Sequence, residues 1–318
     1  MTQSTLITGV AGFIGSHLAD RLLQRGGRVV GIDNLCDFYD PALKRRNLAD
    51  LRRHDRFAIV EADIRDRDAV MRTFDRQPID DVIHIAAMAG VRPSIENPKL
   101  YTEVNLDGSV NLLDAAAQHN AQRFLFASSS SVYGNNDKVP FAEADPVDHP
   151  ISPYAATKRS GELIAHAYHH LYNLPVACLR FFTVFGPRQR PDLAIAKFLR
   201  LVRDDKSIPV FGDGSMSRDY TYIDDIVDGV LAAQARIDAH GYRIWNLGGS
   251  SPVKLSDMID AIERVTGKTA RIDRQPLQPG DVRRTSADLT RSAAELGFTP
   301  TVSLEEGIAR QWAAMDPE

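Results

Sequence analysis

A glycine-rich turn near the start constrains this chain more than any other feature. Thr8-Gly9-Val10-Ala11-Gly12-Phe13-Ile14-Gly15 lies between a short β-rich run, Thr5 to Thr8, and a helical stretch near 13–25. Glycines at 9, 12 and 15 permit a tight turn, close backbone approach to a pyrophosphate, and close packing of helix on strand. The N–H groups and dipole at the helix start favour an anion there. Gly9, Gly12, Phe13, Ile14 and Gly15 are therefore the expected cofactor contacts. A glycine-rich turn alone often only turns the chain. The strand-turn-helix setting makes this one a dinucleotide site.

The first half of the chain repeats the same alternation. Thr5 to Thr8, Arg28 to Ile32, Phe57 to Glu61, Val82 to Ala86, Phe124 to Ala127 and Val176 to Arg180 read as buried parallel strands. Helical stretches fall between them near 13–25, 41–53, 66–75, 97–118 and 153–172. This order predicts an α/β fold, a doubly wound parallel sheet of the Rossmann type. After Arg180 the pattern loosens, with Gly, Pro and Arg clustered at 186–191 and 212–218. A helix near 223–237 and a strand near 242–247 are expected to return to the sheet. Helices are expected around 255–265, 288–296 and 303–315, with a Pro- and Gly-rich loop at 275–281. The predicted division is a cofactor domain, 1–182 plus about 218–248, and a smaller C-terminal substrate-binding lobe, about 183–217 plus 249–318.

Composition narrows the class. Of 318 residues, 43% are hydrophobic and 25% charged, and the formal charge is -4 without a run of one sign. Nucleic-acid and membrane-surface binding are not expected. Cys36 and Cys178 have no metal-ligand spacing and read as reduced thiols. With no signal peptide before the first strand and no apolar run near the ~18 residues of a membrane span, the expectation is a cytoplasmic enzyme. His166, His169 and His170 have helical spacing, but no accompanying ligand pattern, so no metal site is expected.

Asp33 ends the second strand, 18 residues after Gly15. A carboxylate there accepts from a ribose 2′-hydroxyl and repels a 2′-phosphate, so NAD is favoured over NADP. Asn34 follows it. Asp63 and Ile64 follow the third strand and suit the adenine; Ala86 and Ala87 follow the fourth, where small side chains let a cofactor lie close. Plain loop packing explains the last two pairs equally well.

Two further segments carry chemistry. Ser128, Ser129, Ser130 and Ser131 end a strand, where ligands of a doubly wound sheet bind. In Ser152-Pro153-Tyr154-Ala155-Ala156-Thr157-Lys158, Tyr154 and Lys158 are four residues apart and share one helix face. A phenol titrating near pH ~10 is a poor base; a neighbouring ammonium lowers it.

Together the glycine pattern, the serine run before Val132-Tyr133-Gly134 and the Tyr-Lys pair resemble the extended short-chain dehydrogenase/reductase family of nucleotide-sugar epimerases, decarboxylases and dehydratases. The resemblance covers essentially the whole chain. It implies Ser129, Tyr154 and Lys158 as the catalytic triad, with Lys158 also binding the nicotinamide ribose. Dehydratase relatives place Asp-Glu where this chain has Ser130 and Ser131, and decarboxylases place Glu at the second position. Neutral serines argue against both reactions. Thr183 stands where UDP-galactose 4-epimerases have Asn.

The segment Ala89 to Pro98, with Arg92 and Ser94, is similar to a signature of UDP-glucuronate 4-epimerases, as is Arg188 to Asp192 with Arg190. An arginine in either loop also suits an internal salt bridge. Val210, Phe211, Arg218 and Asp281 resemble the family's uridine and diphosphate contacts. The resemblance also implies a UDP-sugar substrate and a homodimer joined through the helices near 97–118 and 153–172. Leu112, Leu113 and Ala115 to Ala117 supply apolar surface there, unless they face the sheet. The alternatives are UDP-glucose 4-epimerase, UDP-glucuronate decarboxylase, and a non-catalytic NAD-sensing protein.

Overall fold

The computed structural model describes residues 3–276 and 284–315. Its strands are β1 (Ser4–Thr8), β2 (Arg28–Asp33), β3 (Phe57–Glu61), β4 (Asp81–His84), β5 (Arg123–Ser129), β6 (Val176–Phe181), β7 (Thr183–Phe185), β8 (Ile208–Phe211), β9 (Ser217–Tyr222), β10 (Tyr242–Leu247), β11 (Pro252–Lys254) and β12 (Ile272–Gln275). Seven form one sheet in the order β10-β6-β5-β4-β1-β2-β3. Every pairing in it is parallel. The order reverses between β1 and β4, so the crevice at a doubly wound sheet's switch point opens beside the glycine turn. The predicted sheet and the return of 242–247 to it are both present.

The inner strands are apolar because both faces are covered; β3, expected to be buried, is an edge strand and only half-buried. Every residue of β1, β4 and β6 is buried. One core cluster lies under the helix Phe13–Gln24 and runs on through Phe198, Leu199, Met258 and Ile308. The other lies under the helices Gly108–Gln118 and Pro153–Tyr172. Leu112, Leu113, Ala115 and Ala116 point into that second core, so they face the sheet and supply no outer surface.

The structure departs from the sequence reading in three places. The stretch near 97–118 is not one helix: Pro98–Thr102 passes through a π-helical turn, Glu103–Asp107, into Gly108–Gln118. The strand expected to reach Ala86 ends at His84, because the Ala86 N–H leaves the ladder for Thr8 Oγ1 at 3.1 Å. Beyond β6 there is more order than the Gly and Pro clusters suggested. The helix Ala194–Arg203 packs Ile195, Phe198, Leu199 and Val202 inward. Two small sheets, β11-β9-β7 and β12-β8, stand beside the main one.

Candidate active site

At residues 9–15, β1 runs straight into a helix whose N-cap, Gly12, offers no side-chain hydrogen bond. The first N–H groups of this helix are thus not capped by a side chain. Gly9 holds φ at +70°, where side chains are strained, and a Cβ on Gly15 would sit 2.2 Å from the Gly9 carbonyl oxygen. Asp33 lies against the turn, accepting from the Ala11 N–H at 3.0 Å and the Leu35 N–H at 2.8 Å. Burial raises its carboxyl above the usual range, and these amides oppose the rise. Asp63 is held down to about 2, first by Arg65 and also by Asn34, whose Nδ2 donates to it at 2.9 Å.

A cavity of about 670 Å³ follows the carboxyl ends of the first six strands. Its lining includes all the expected cofactor residues: Gly9, Gly12, Phe13, Ile14, Gly15, Asp33, Asn34, Asp63, Ile64, Ala86, Ala87 and Lys158. Uncapped amides, a carboxylate at the end of β2 and small residues at the end of β4 suit a dinucleotide's pyrophosphate, ribose and ring in turn.

The same cavity receives Ser129, Ser130, Ser131, Tyr154, Thr183 and Arg190. Alternation along β5 sorts the serines. Ser128 donates to the buried Glu162 at 2.6 Å, while Ser129 bears on the Tyr154 phenol and eases its ionisation. Tyr154 and Lys158 lie one turn apart on the helix Pro153–Tyr172, which Ser152 caps by accepting from the Ala155 N–H at 3.1 Å. Burial raises the Tyr154 pKa; the Ser129 bond and the Arg190 charge pull it back. The cation bearing on the phenol here is thus Arg190. Lys158, held down to about 7 by burial against the pull of Glu162, donates to the Ala127 carbonyl at 2.7 Å. Arg190 is clamped by Asp192 at 3.0 and 2.6 Å and lies 5.2 Å from the centre of the Phe38 ring.

The nucleotide-end residues lie outside this cavity's lining. The Arg92 guanidinium stands over the Phe211 ring at 5.3 Å, bringing those two together. Val210 is buried in the core, and Arg218 donates to the Ser217 carbonyl. Ser94 is wholly buried and donates to the Val91 carbonyl at 2.5 Å. Asp281 lies outside the described residues.

Sequence reasoning missed several residues around the site. Phe38 and Tyr39 also line the cavity. Tyr101 meets Tyr154 edge-on at 6.2 Å. Glu162, four residues beyond Lys158, holds the buried Arg180 at 2.8 and 2.9 Å; its helical spacing was a usable signal. Asn105 had none, because the π-helical turn that points it inward breaks the 3.6-residue period.

A doubly wound sheet, an uncapped glycine turn and a Ser-Tyr-Lys constellation in one crevice define a short-chain dehydrogenase/reductase of the extended kind. Residues 6–311 match the family profile described as GDP-mannose 4,6 dehydratase. A probable UDP-glucuronate 4-epimerase of Rhizobium meliloti is 44% identical over 96% of this chain and 94% of its own length. Among solved structures, the UDP-glucuronic acid 4-epimerase of Bacillus cereus, in complex with UDP-glucuronic acid and NAD, superposes with a TM-score of 0.92 at 36% identity, covering 98% of both chains. A UDP-glucose 4-epimerase from Thermotoga maritima, with UDP-glucose, gives 0.89 at 31%, again over 98% of both. The chain belongs to this family of nucleotide-sugar epimerases and dehydratases.

Proposed function

We propose that the protein is an NAD-dependent UDP-glucuronate 4-epimerase. The observation that carries this reading is the chemistry around Tyr154. The three carboxylates in the cavity lining, Asp33, Asp37 and Asp63, end or follow β2 or β3, while the Tyr154 end presents hydroxyls from Ser129, Ser130, Ser131 and Thr183 with one guanidinium, Arg190. Elimination of water needs an acid and a base beside the sugar, and among the described residues no carboxylate lines that end of the cavity, Asp192 being tied up behind Arg190. The relatives named above act on the same substrate class.

Tyr154 takes the proton of the sugar's C4 hydroxyl, and Ser129 hydrogen-bonds the same oxygen. When bound, the nicotinamide serves as oxidant for C4 and then as reductant. The oxidised sugar is a ketone β to the C6 carboxylate, and such an acid loses carbon dioxide when that C–C bond overlaps the carbonyl π system. Ser129, Ser130 and Thr183 hold the carboxylate out of that alignment without adding charge. Arg190 supplies charge-assisted bonds from the wall. The sugar turns about its diphosphate link so that the opposite face of C4 meets the returning hydride, and Tyr154 gives the proton back to the C4 oxygen.

The lobe of 183–217 plus 249–318 binds the nucleotide, with Phe211 on the uracil and Arg218 on a phosphate, while Arg92 is the second candidate, after Arg190, for the sugar. Among the described residues no helix is long and apolar enough to cross a membrane. A cytoplasmic homodimer fits the exposed Leu163, Leu171 and Tyr172 of the helix Pro153–Tyr172. The test is to incubate the purified protein with UDP-glucuronate and follow products by proton NMR. UDP-galacturonate is expected; UDP-xylose as the main product refutes the reading.

A further inference from the structure

A chain of buried hydrogen bonds runs from the glycine turn to the helix that carries Tyr154. Its proton directions follow by elimination. The Asn105 carbonyl can only accept, so Ser109 gives it its one hydroxyl proton at 2.6 Å. Ser109 Oγ then accepts from His84 Nε2 at 2.9 Å. A neutral imidazole protonated at Nε2 presents a lone pair at Nδ1, and the Thr8 hydroxyl donates to it at 2.7 Å. Thr8 Oγ1 in turn accepts the Ala86 N–H at 3.1 Å. His84 is 1% exposed, and burial and the Lys158 charge lower its pKa to about 3, so it holds this tautomer across the working pH range.

Beyond Ser109 the chain continues through the π-helical turn. The Asn105 side chain accepts from the Met88 N–H at 2.8 Å and donates to the Met88 carbonyl and to Thr157 Oγ1, both at 3.0 Å. Thr157 donates to the Tyr154 carbonyl at 2.9 Å. Turns of this kind recur at functional sites because the extra residue re-aims a side chain. Here it swings Asn105 between the end of β4 and the first turn of the helix Pro153–Tyr172.

We propose that His84 is a positioning residue: by holding Thr8 on one side and Ser109 on the other, it fixes the cofactor turn against the turn that carries Tyr154 and Lys158. It touches neither substrate nor cofactor in this role. The relay does not depend on which UDP-sugar is turned over.

His84→Phe and Ser109→Ala, singly and combined, test it. The His84 ring already lies 6.1 Å from Phe124 and 5.8 Å from Phe126, so a phenyl ring fits among them. Each single variant is expected to lose about 10- to 100-fold in kcat through misplacement of the reacting groups, with KM unchanged. The double variant is expected to be no worse than His84→Phe alone. Losses that multiply, or an unchanged kcat, overturn the proposal. A measurement without substrate runs alongside: hydrogen exchange in both variants is expected to quicken in 103–109 and 153–158. Quickening confined to the neighbours of residues 8 and 84 overturns the relay equally, whatever the substrate proves to be.

Discussion

Burial and charge pull on Tyr154 in opposite directions. A phenol in a half-buried cavity wall resists ionisation, while the Ser129 bond and the Arg190 charge ease it. Tyr154→Phe removes the transferable proton without changing the ring, and turnover is expected to fall about 10²- to 10⁴-fold, with the melting temperature kept. Steady-state rates and calorimetry on the same samples check both halves.

Lys158 gives the pH dependence. Its folded pKa is about 7 against 10.5 when free. Between those values the unfolded chain keeps a proton that the folded cofactor-free protein has released. Stability from this group is therefore fully present above 10.5 and is lost as pH falls through 7, with a slope of at most about 1.4 kcal/mol per pH unit. Urea unfolding of wild type and Lys158→Met from pH 6 to 10 should show that slope only in wild type; parallel curves contradict the assignment.

At the scale of elements, the helix Pro153–Tyr172 sets one stripe of Tyr154, Lys158 and Glu162 against β5 and β6. Gly161 allows the approach, since a Cβ there would lie 2.4 Å from the Phe126 ring. Glu162 ties the stripe down through Arg180, and both are essentially inaccessible. Glu162→Gln leaves the buried guanidinium short of charge, a loss of about 3–5 kcal/mol. A denaturation midpoint within error of wild type counts against this. At the other end, Gly15→Ala forces the turn apart, and the purified protein is expected to carry no NAD by absorbance.

The legibility of elements followed their surroundings. β1, β2, β4, β5 and β6 are short apolar runs because both their faces are covered, so they could be read directly; β3, at the sheet's edge, is only half-buried. The helix Ala194–Arg203 has apolar residues at 195, 198, 199 and 202, a helical spacing masked by the Gly, Pro and Arg clusters flanking it. The π-helical turn left no mark, because it is one extra residue within an otherwise periodic stretch.

Across the whole molecule, Asp219 joins segments remote in sequence. It accepts from the N–H groups of Gly249 at 2.6 Å, Ser250 at 3.0 Å and Ala287 at 2.7 Å. Asp219→Ala leaves three amides unpaired, at about 1–3 kcal/mol each where buried. The predicted result is a loss of cooperative unfolding around β9, seen as early proteolysis there. For the proposed homodimer, wild type is expected to sediment as a dimer and Leu163→Glu with Leu171→Glu as a monomer.

The glycine turn, Asp33, the serine run and the Tyr-Lys pair were fixed by local chemistry: each needs particular residue types at short spacing, and spacing survives in a sequence. That six strand ends meet in one cavity, that Arg190 reaches Tyr154 across it, and that His84 faces Thr8 and Ser109 were decided only by the fold. Those contacts join residues up to 78 positions apart in the His84 chain, and long-range packing, which no local pattern encodes, sets their distances.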